Sequence, residues 1–144
     1  MAPLRLRGHH FLCILTYRGL GYTPEFVANM SDIVGQIAEG RPVVLLPGPD
    51  DICAGLTVEA RKACDHDCAR PETMALDALA IEAVRPLLPD LDAAGFVLKG
   101  DDISRLRAAF ASGSIRSACL RCRWSDLCDG IAAEGFAGTR LYSP

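Results

Sequence analysis

Basic charge is in short supply in this chain. Fifteen Lys and Arg stand against eighteen Asp and Glu, for a formal net charge of −3. No cationic surface is therefore on offer for general binding to nucleic acid or to an anionic membrane. Aromatic residues are also scarce, at 6%, which argues against the stacking platforms that hold single-stranded bases. No apolar run approaches the roughly 20 residues that cross a bilayer. The opening stretch has a basic start, but only Phe11 to Leu15 follow as an apolar segment, and no small-residue cleavage site lies behind it. It does not read as a secretory signal. Internal repeats, low-complexity tracts and an interdomain linker are missing as well. These absences lead to the expectation of a single domain over residues 1–144, in the cytoplasm, with neither nucleic acid nor membrane as a partner.

Apolar residues make up 50% of the chain, enough for a sizeable core without covalent staples. Seven cysteines are nonetheless present, an odd number. In a reducing compartment such usage points to metal or redox chemistry sooner than to a disulfide framework.

The densest signal is Cys119-Leu-Arg-Cys122-Arg-Trp-Ser-Asp-Leu-Cys128. A Cys-x2-Cys turn brings two sulfurs close enough to grip one metal centre, and the third follows at x5 spacing. Three thiolates close neither a tetrahedral site nor a cubane, so the fold must supply a fourth ligand. Cys13, Cys53, Cys64 and Cys68 are the upstream candidates, with Cys53 ranked ahead of Cys13. Iron–sulfur ranks ahead of zinc for three reasons. Cluster sites favour all-thiolate sets, zinc sites commonly use two tight pairs where this chain has one, and the five residues between Cys122 and Cys128 suit wrapping a body larger than one ion. Arg116, Arg121 and Arg123 would offset the negative charge of a thiolate-bound cluster, and Trp124 would shield it from water. Their ordinary alternatives are a solvated surface and core packing.

The N-terminal part carries a second set. Leu4 to Arg7 alternates apolar and basic, as a half-buried strand does. His9 to Tyr17 reads as a short buried helix after Gly8. There His9 and Cys13 are four apart and His10 and Cys13 three apart, on one face. That arrangement suits a histidine as hydrogen-bond donor to a thiolate, or as the base for a thiol nucleophile at Cys13. The plain alternative has Cys13 as a small buried hydrophobe and the histidines capping the helix. Thr23 caps a helix whose stripe is Phe26, Met30, Ile33, Val34 and Ile37, ended by Gly40. Val43 to Leu46 is a strand, and Gly48 to Cys53 a turn beyond its end in which Asp50 and Asp51 act as caps. Val58 to Ala63 forms a helical turn, and Cys64-Asp-His66-Asp-Cys68 a polar loop with expendable thiols. Pro71 opens a helix with Leu76, Leu79, Ala80, Ala83, Val84 and Leu87 inward. Phe96 to Leu98 is a third strand or a buried connector. Asp101 or Asp102 caps a helix carrying Ile103, Leu106 and Phe110, ended by Gly113. Ile131 to Phe136 is the last helical piece.

Two resemblances follow from these residues. Cys119 to Cys128 is similar to the opening of the auxiliary-cluster motif in the SPASM extension of radical SAM enzymes, Cys-x2-Cys-x5-Cys-x3-Cys, whose cysteines bind [4Fe–4S]. Position 132 is Ala here, so the local fourth ligand is absent. More broadly, Leu6-Arg-Gly-His-His-Phe-Leu-Cys13, Gly48-Pro-Asp-Asp-Ile-Cys53 and the Cys119–Cys128 motif, in this order, resemble the prokaryotic family catalogued as domain of unknown function 1284. That resemblance implies Cys13, Cys53, Cys119, Cys122 and Cys128 as shared motif positions and no activity.

The expectation is a mainly helical α+β domain with a small two- or three-stranded sheet. It binds one [4Fe–4S] cluster through Cys119, Cys122, Cys128 and Cys53 or Cys13, for electron transfer with a redox partner protein, redox sensing or structural support. The alternatives are a zinc-stapled interaction module and a thiol enzyme using Cys13 with His9 or His10. The strands Leu4–Arg7 and Val43–Leu46 are expected to pair in parallel, which gathers Cys13 and Cys53 at the carboxyl edge.

Overall fold

The computed structural model describes residues 3–19, 23–46, 50–52, 71–115 and 125–141, and the helical turn expected at Val58 to Ala63 lies outside them. Among the described residues the order is β1 (Leu4–Leu6), α1 (His10–Thr16), α2 (Pro24–Ala38), β2 (Val43–Leu45), α3 (Pro71–Val84), a 3-10 turn (Arg85–Leu87), α4 (Gly100–Ser112) and α5 (Ser125–Ala133). The fold is mainly helical α+β.

β1 and β2 pair in parallel, with Leu4 opposite Val43 and Leu6 opposite Leu45. Parallel neighbours need a long crossover, and α1 with α2 provides it. The third strand is reduced to one antiparallel bridge, Phe96 to Val43. Leu4 and Leu6 point into the core and Arg5 out, as alternation requires. The alternation fails at Arg7, which stands beyond the strand end with its side chain fully buried.

α2 begins as its sequence demands: Thr23 Oγ1 accepts the Phe26 amide at 3.0 Å, with Pro24 in the first turn. This occupies one of the donors a helix start leaves unsatisfied. Gly40, at φ 97°, ends it. At α4 the expected cap is displaced. Lys99 takes the N-cap position, and Asp102, three residues on, accepts the Lys99 amide at 3.0 Å.

α1 sits at the centre of the molecule. Phe11, Leu12, Ile14 and Leu15 are almost wholly buried, each worth about 1.5–3 kcal/mol of apolar burial. α3, α4 and α5 all pack against this helix. Arg107 of α4 lies 5.3 Å over the Phe136 ring and donates to Thr139 Oγ1 at 3.0 Å and to the Leu141 carbonyl. The Arg140 amide donates to the Tyr17 carbonyl at 2.9 Å. The C-terminal segment is thereby tied to the end of α1.

Candidate functional site

The parallel pairing puts the start of α1 and the stretch after β2 at the same end of the strands. Residues 50–52 return to β1 there. Asp51 accepts the Arg5 amide at 2.8 Å and pairs with its guanidinium at 2.7 Å, while Asp50 Oδ2 accepts the Arg7 amide at 2.7 Å. Asn29 of α2 donates to the Asp51 carbonyl at 2.8 Å. The two aspartates expected to cap a local turn thus reach across to the other strand.

The histidines do not cap α1 through their side chains. His9 occupies the N-cap position with helical φ and ψ and no side-chain cap bond. Its Nδ1 meets Asp77 Oδ1 at 2.7 Å, and His10 Nδ1 meets Asp50 Oδ2 at 2.7 Å. A carboxylate only accepts, so both Nδ1 atoms carry a proton, and in a neutral ring the lone pair is on Nε2. The rings lie side by side, with centroids 4.4 Å apart. Arg7 completes the arrangement: its Nη2 is 2.8 Å and its Nε 2.9 Å from Asp77 Oδ2.

Burial alone pushes the Asp77 carboxyl up, but the hydrogen bonds from His9 and Arg7 outweigh it and hold the group below the usual carboxylate range. Burial, only partly offset by the Asp77 hydrogen bond, lowers His9 to about 4. His9 is therefore a neutral imidazole at pH 7.

Asp77 is the residue that sequence reading missed. The stripe assigned to α3 named Leu79, which is 41% exposed, whereas Asp77, Ala80 and Val84 face inward. The signal was present: a carboxylate at 0, 3, 7 spacing with buried residues. Gly8 lets α3 approach this closely. A Cβ there would stand 2.5 Å from the Asp77 carbonyl oxygen and 2.7 Å from Ile81 Cγ1.

Sulfur gathers further along the same face of α1. His9, Cys13 and Thr16 fall at 0, 4 and 7, one side of a helix. Thr16 Oγ1 lies 3.2 Å from Cys128 Sγ and 3.5 Å from the Cys13 carbonyl. Cys128 sits inside α5, which starts at Ser125, earlier than the helical piece expected from Ile131. Cys13 and Cys128 are both partly buried and packed against the core. The last thiol of the C-terminal motif therefore touches α1 at Thr16, one helical turn after Cys13. Cys53, Cys64, Cys68, Cys119 and Cys122, with Arg116, Arg121, Arg123 and Trp124, lie outside the described residues. Among the described residues, no group of three or more His, Cys, Asp or Glu is placed to hold a metal ion, and no helix is long and apolar enough to cross a membrane.

Comparison with known proteins adds a family. Residues 21–128 match the family described as "Protein of unknown function (DUF1284)", and the chain belongs to it. The match ends on Cys128 and begins after His9, His10 and Cys13. No curated protein and no solved structure matches the chain.

Proposed function

We propose that this member of the DUF1284 family is an iron–sulfur protein. It holds one [4Fe–4S] cluster through Cys119, Cys122 and Cys128, with a fourth thiolate from Cys13 or Cys53. The observation that carries this reading is the Cys-x2-Cys-x5-Cys spacing, whose last thiol is lodged against α1 one turn from Cys13. The donor set suits the group. Partly buried sulfur against apolar core is the setting that clusters favour, and a hydroxyl beside Cys128 can donate to its thiolate. The Cys128 contact with Thr16, one turn after Cys13 on α1, supports Cys13 as fourth ligand, while Cys53 is the next residue in sequence after 50–52. A bound cluster would pass single electrons to a redox partner, sense oxidants, or brace the C-terminal segment.

One observation favours a second reading, a thiol enzyme: the Asp77–His9 pair lies one turn from Cys13 on the same face. A base at about 4 is poorly matched to activating a thiol near pH 7, so this reading ranks below the first.

Anaerobic purification tests the choice. A cluster protein is brown, absorbs broadly near ~400 nm and carries about four irons per chain. Cys122→Ser should remove most of that iron, while Cys64→Ser and Cys68→Ser, in their polar stretch, should retain it. A colourless chain carrying zinc on its thiols would overturn the iron assignment, and unchanged iron in Cys122→Ser would overturn the ligand assignment.

A further inference from the structure

The two histidines at the start of α1 call for an account of their own. Each ring is oriented by a carboxylate from a different part of the chain, Asp77 of α3 for His9 and Asp50 after β2 for His10. Each bond is 2.7 Å and occupies Nδ1, so Nε2 is the ring nitrogen left to meet a ligand. Among the described residues nothing hydrogen-bonds to either Nε2. The rings are nearly enclosed, with 14% and 11% of the two side chains exposed, and their centroids are only 4.4 Å apart. A carboxylate behind the far nitrogen of an imidazole is the arrangement that orients metal-binding histidines and raises their donor strength. Two such imidazoles side by side is more than helix anchoring requires, since one bond to Asp77 would already dock α1 on α3.

The geometry points to His9 and His10 as a nitrogen-donor site for a borderline divalent transition metal such as Zn2+, separate from the thiolate centre and at the carboxyl edge of the two-stranded sheet. The described residues bring no third protein ligand to the pair. Water, or an oxygen ligand arriving from solution, completes the shell. Such an open shell is the pattern of metal sites that act on a bound molecule, whereas structural zinc sites are closed by protein ligands. The inference rests on no part of the iron–sulfur reading.

The test is zinc K-edge X-ray absorption on the whole chain as purified, with one equivalent of Zn2+ added. The expected first shell is nitrogen and oxygen at about 2.0–2.1 Å, with the outer-shell scattering of imidazole. Absorption near ~400 nm should not change on addition, which separates this site from any cluster. A His9→Gln/His10→Gln double variant should lose one equivalent of bound zinc in equilibrium dialysis while keeping its iron. A sulfur shell at about 2.3 Å, or no zinc retained, would overturn the assignment. If the double variant fails to fold, the unmodified chain's spectrum still decides.

Discussion

The two halves of α1 are held in different ways. At its start, His9 and His10 are fixed by a charged network that the protein supplies in full: Arg7, Asp77 and Asp50 satisfy one another at 2.7–2.9 Å and are buried. One to two turns later, Cys13 and Cys128 lie against apolar core, and the Thr16 hydroxyl meets Cys128 Sγ at 3.2 Å. The start of the helix is made of groups that order each other through charge. The later part is made of sulfurs, which pack against the core as small hydrophobes and which the iron–sulfur proposal assigns to the cluster. Damage to the start should therefore cost the fold, and damage to the later part should cost bound metal.

Asp77→Ala should show the largest effect. It removes the carboxylate that pairs with the wholly buried Arg7 guanidinium and with His9. Stranding one member of a buried ion pair costs about 3–5 kcal/mol, to be read as a lower midpoint in urea. Cys128→Ser in the metal-free chain should cost about 1 kcal/mol, the scale of one hydrogen bond, yet should lose bound iron. Equal stability losses in the two variants would break the comparison.

Acid should act next, and only at the start of the helix. His9 titrates at about 4 in the fold and near 6.5 when unfolded. Between those values the unfolded chain binds the extra proton, so stability is complete above pH 6.5 and falls as pH drops toward 4. The shift corresponds to roughly 3 kcal/mol. Asp77, also depressed, extends the loss to lower pH in the same direction. Denaturation midpoints from pH 7 to pH 4 should fall in the wild-type chain and fall less steeply in His9→Gln. Parallel curves would show that His9 is not the group responsible.

Much of the frame is legible in the sequence. The Thr23-Pro24 start and Gly40 end of α2 use local rules that need no knowledge of the rest of the chain. The parallel pairing of β1 with β2 followed from the length of the crossover. What could not be read was charge in the core. Arg7 continues an alternating strand pattern, and Asp77 sits in an apolar helix, so each is unreadable without the other. They are 70 residues apart and explain one another only when α3 meets the end of β1. Leu79 reads as core in the sequence yet is exposed, because hydrophobicity marks what can be buried and does not exclude exposure. The last helix begins at Ser125, earlier than the sequence suggests, because its first turn reads as part of the cysteine motif.

Thr16→Val should have the smallest effect on stability and the most specific one on the sulfurs. The change keeps the branched shape and removes one hydroxyl. That hydroxyl lies 3.5 Å from the Cys13 carbonyl, near the limit of a useful bond, and 3.2 Å from Cys128 Sγ, an ordinary sulfur contact. If Cys128 is a thiolate ligand it can only accept, so Thr16 donates to it. Donation stabilises negative charge on the sulfur, and the reduced cluster carries one more negative charge than the oxidised one. Losing the donor should lower the reduction potential, measured by spectroelectrochemistry on the anaerobically purified chain. Stability should fall by only about 1 kcal/mol, and iron content should hold. A potential that stays the same or rises would remove Cys128 from the ligand set. The loss of stability alone would then mean that the Thr16–Cys128 contact does no more than pack α5 onto α1.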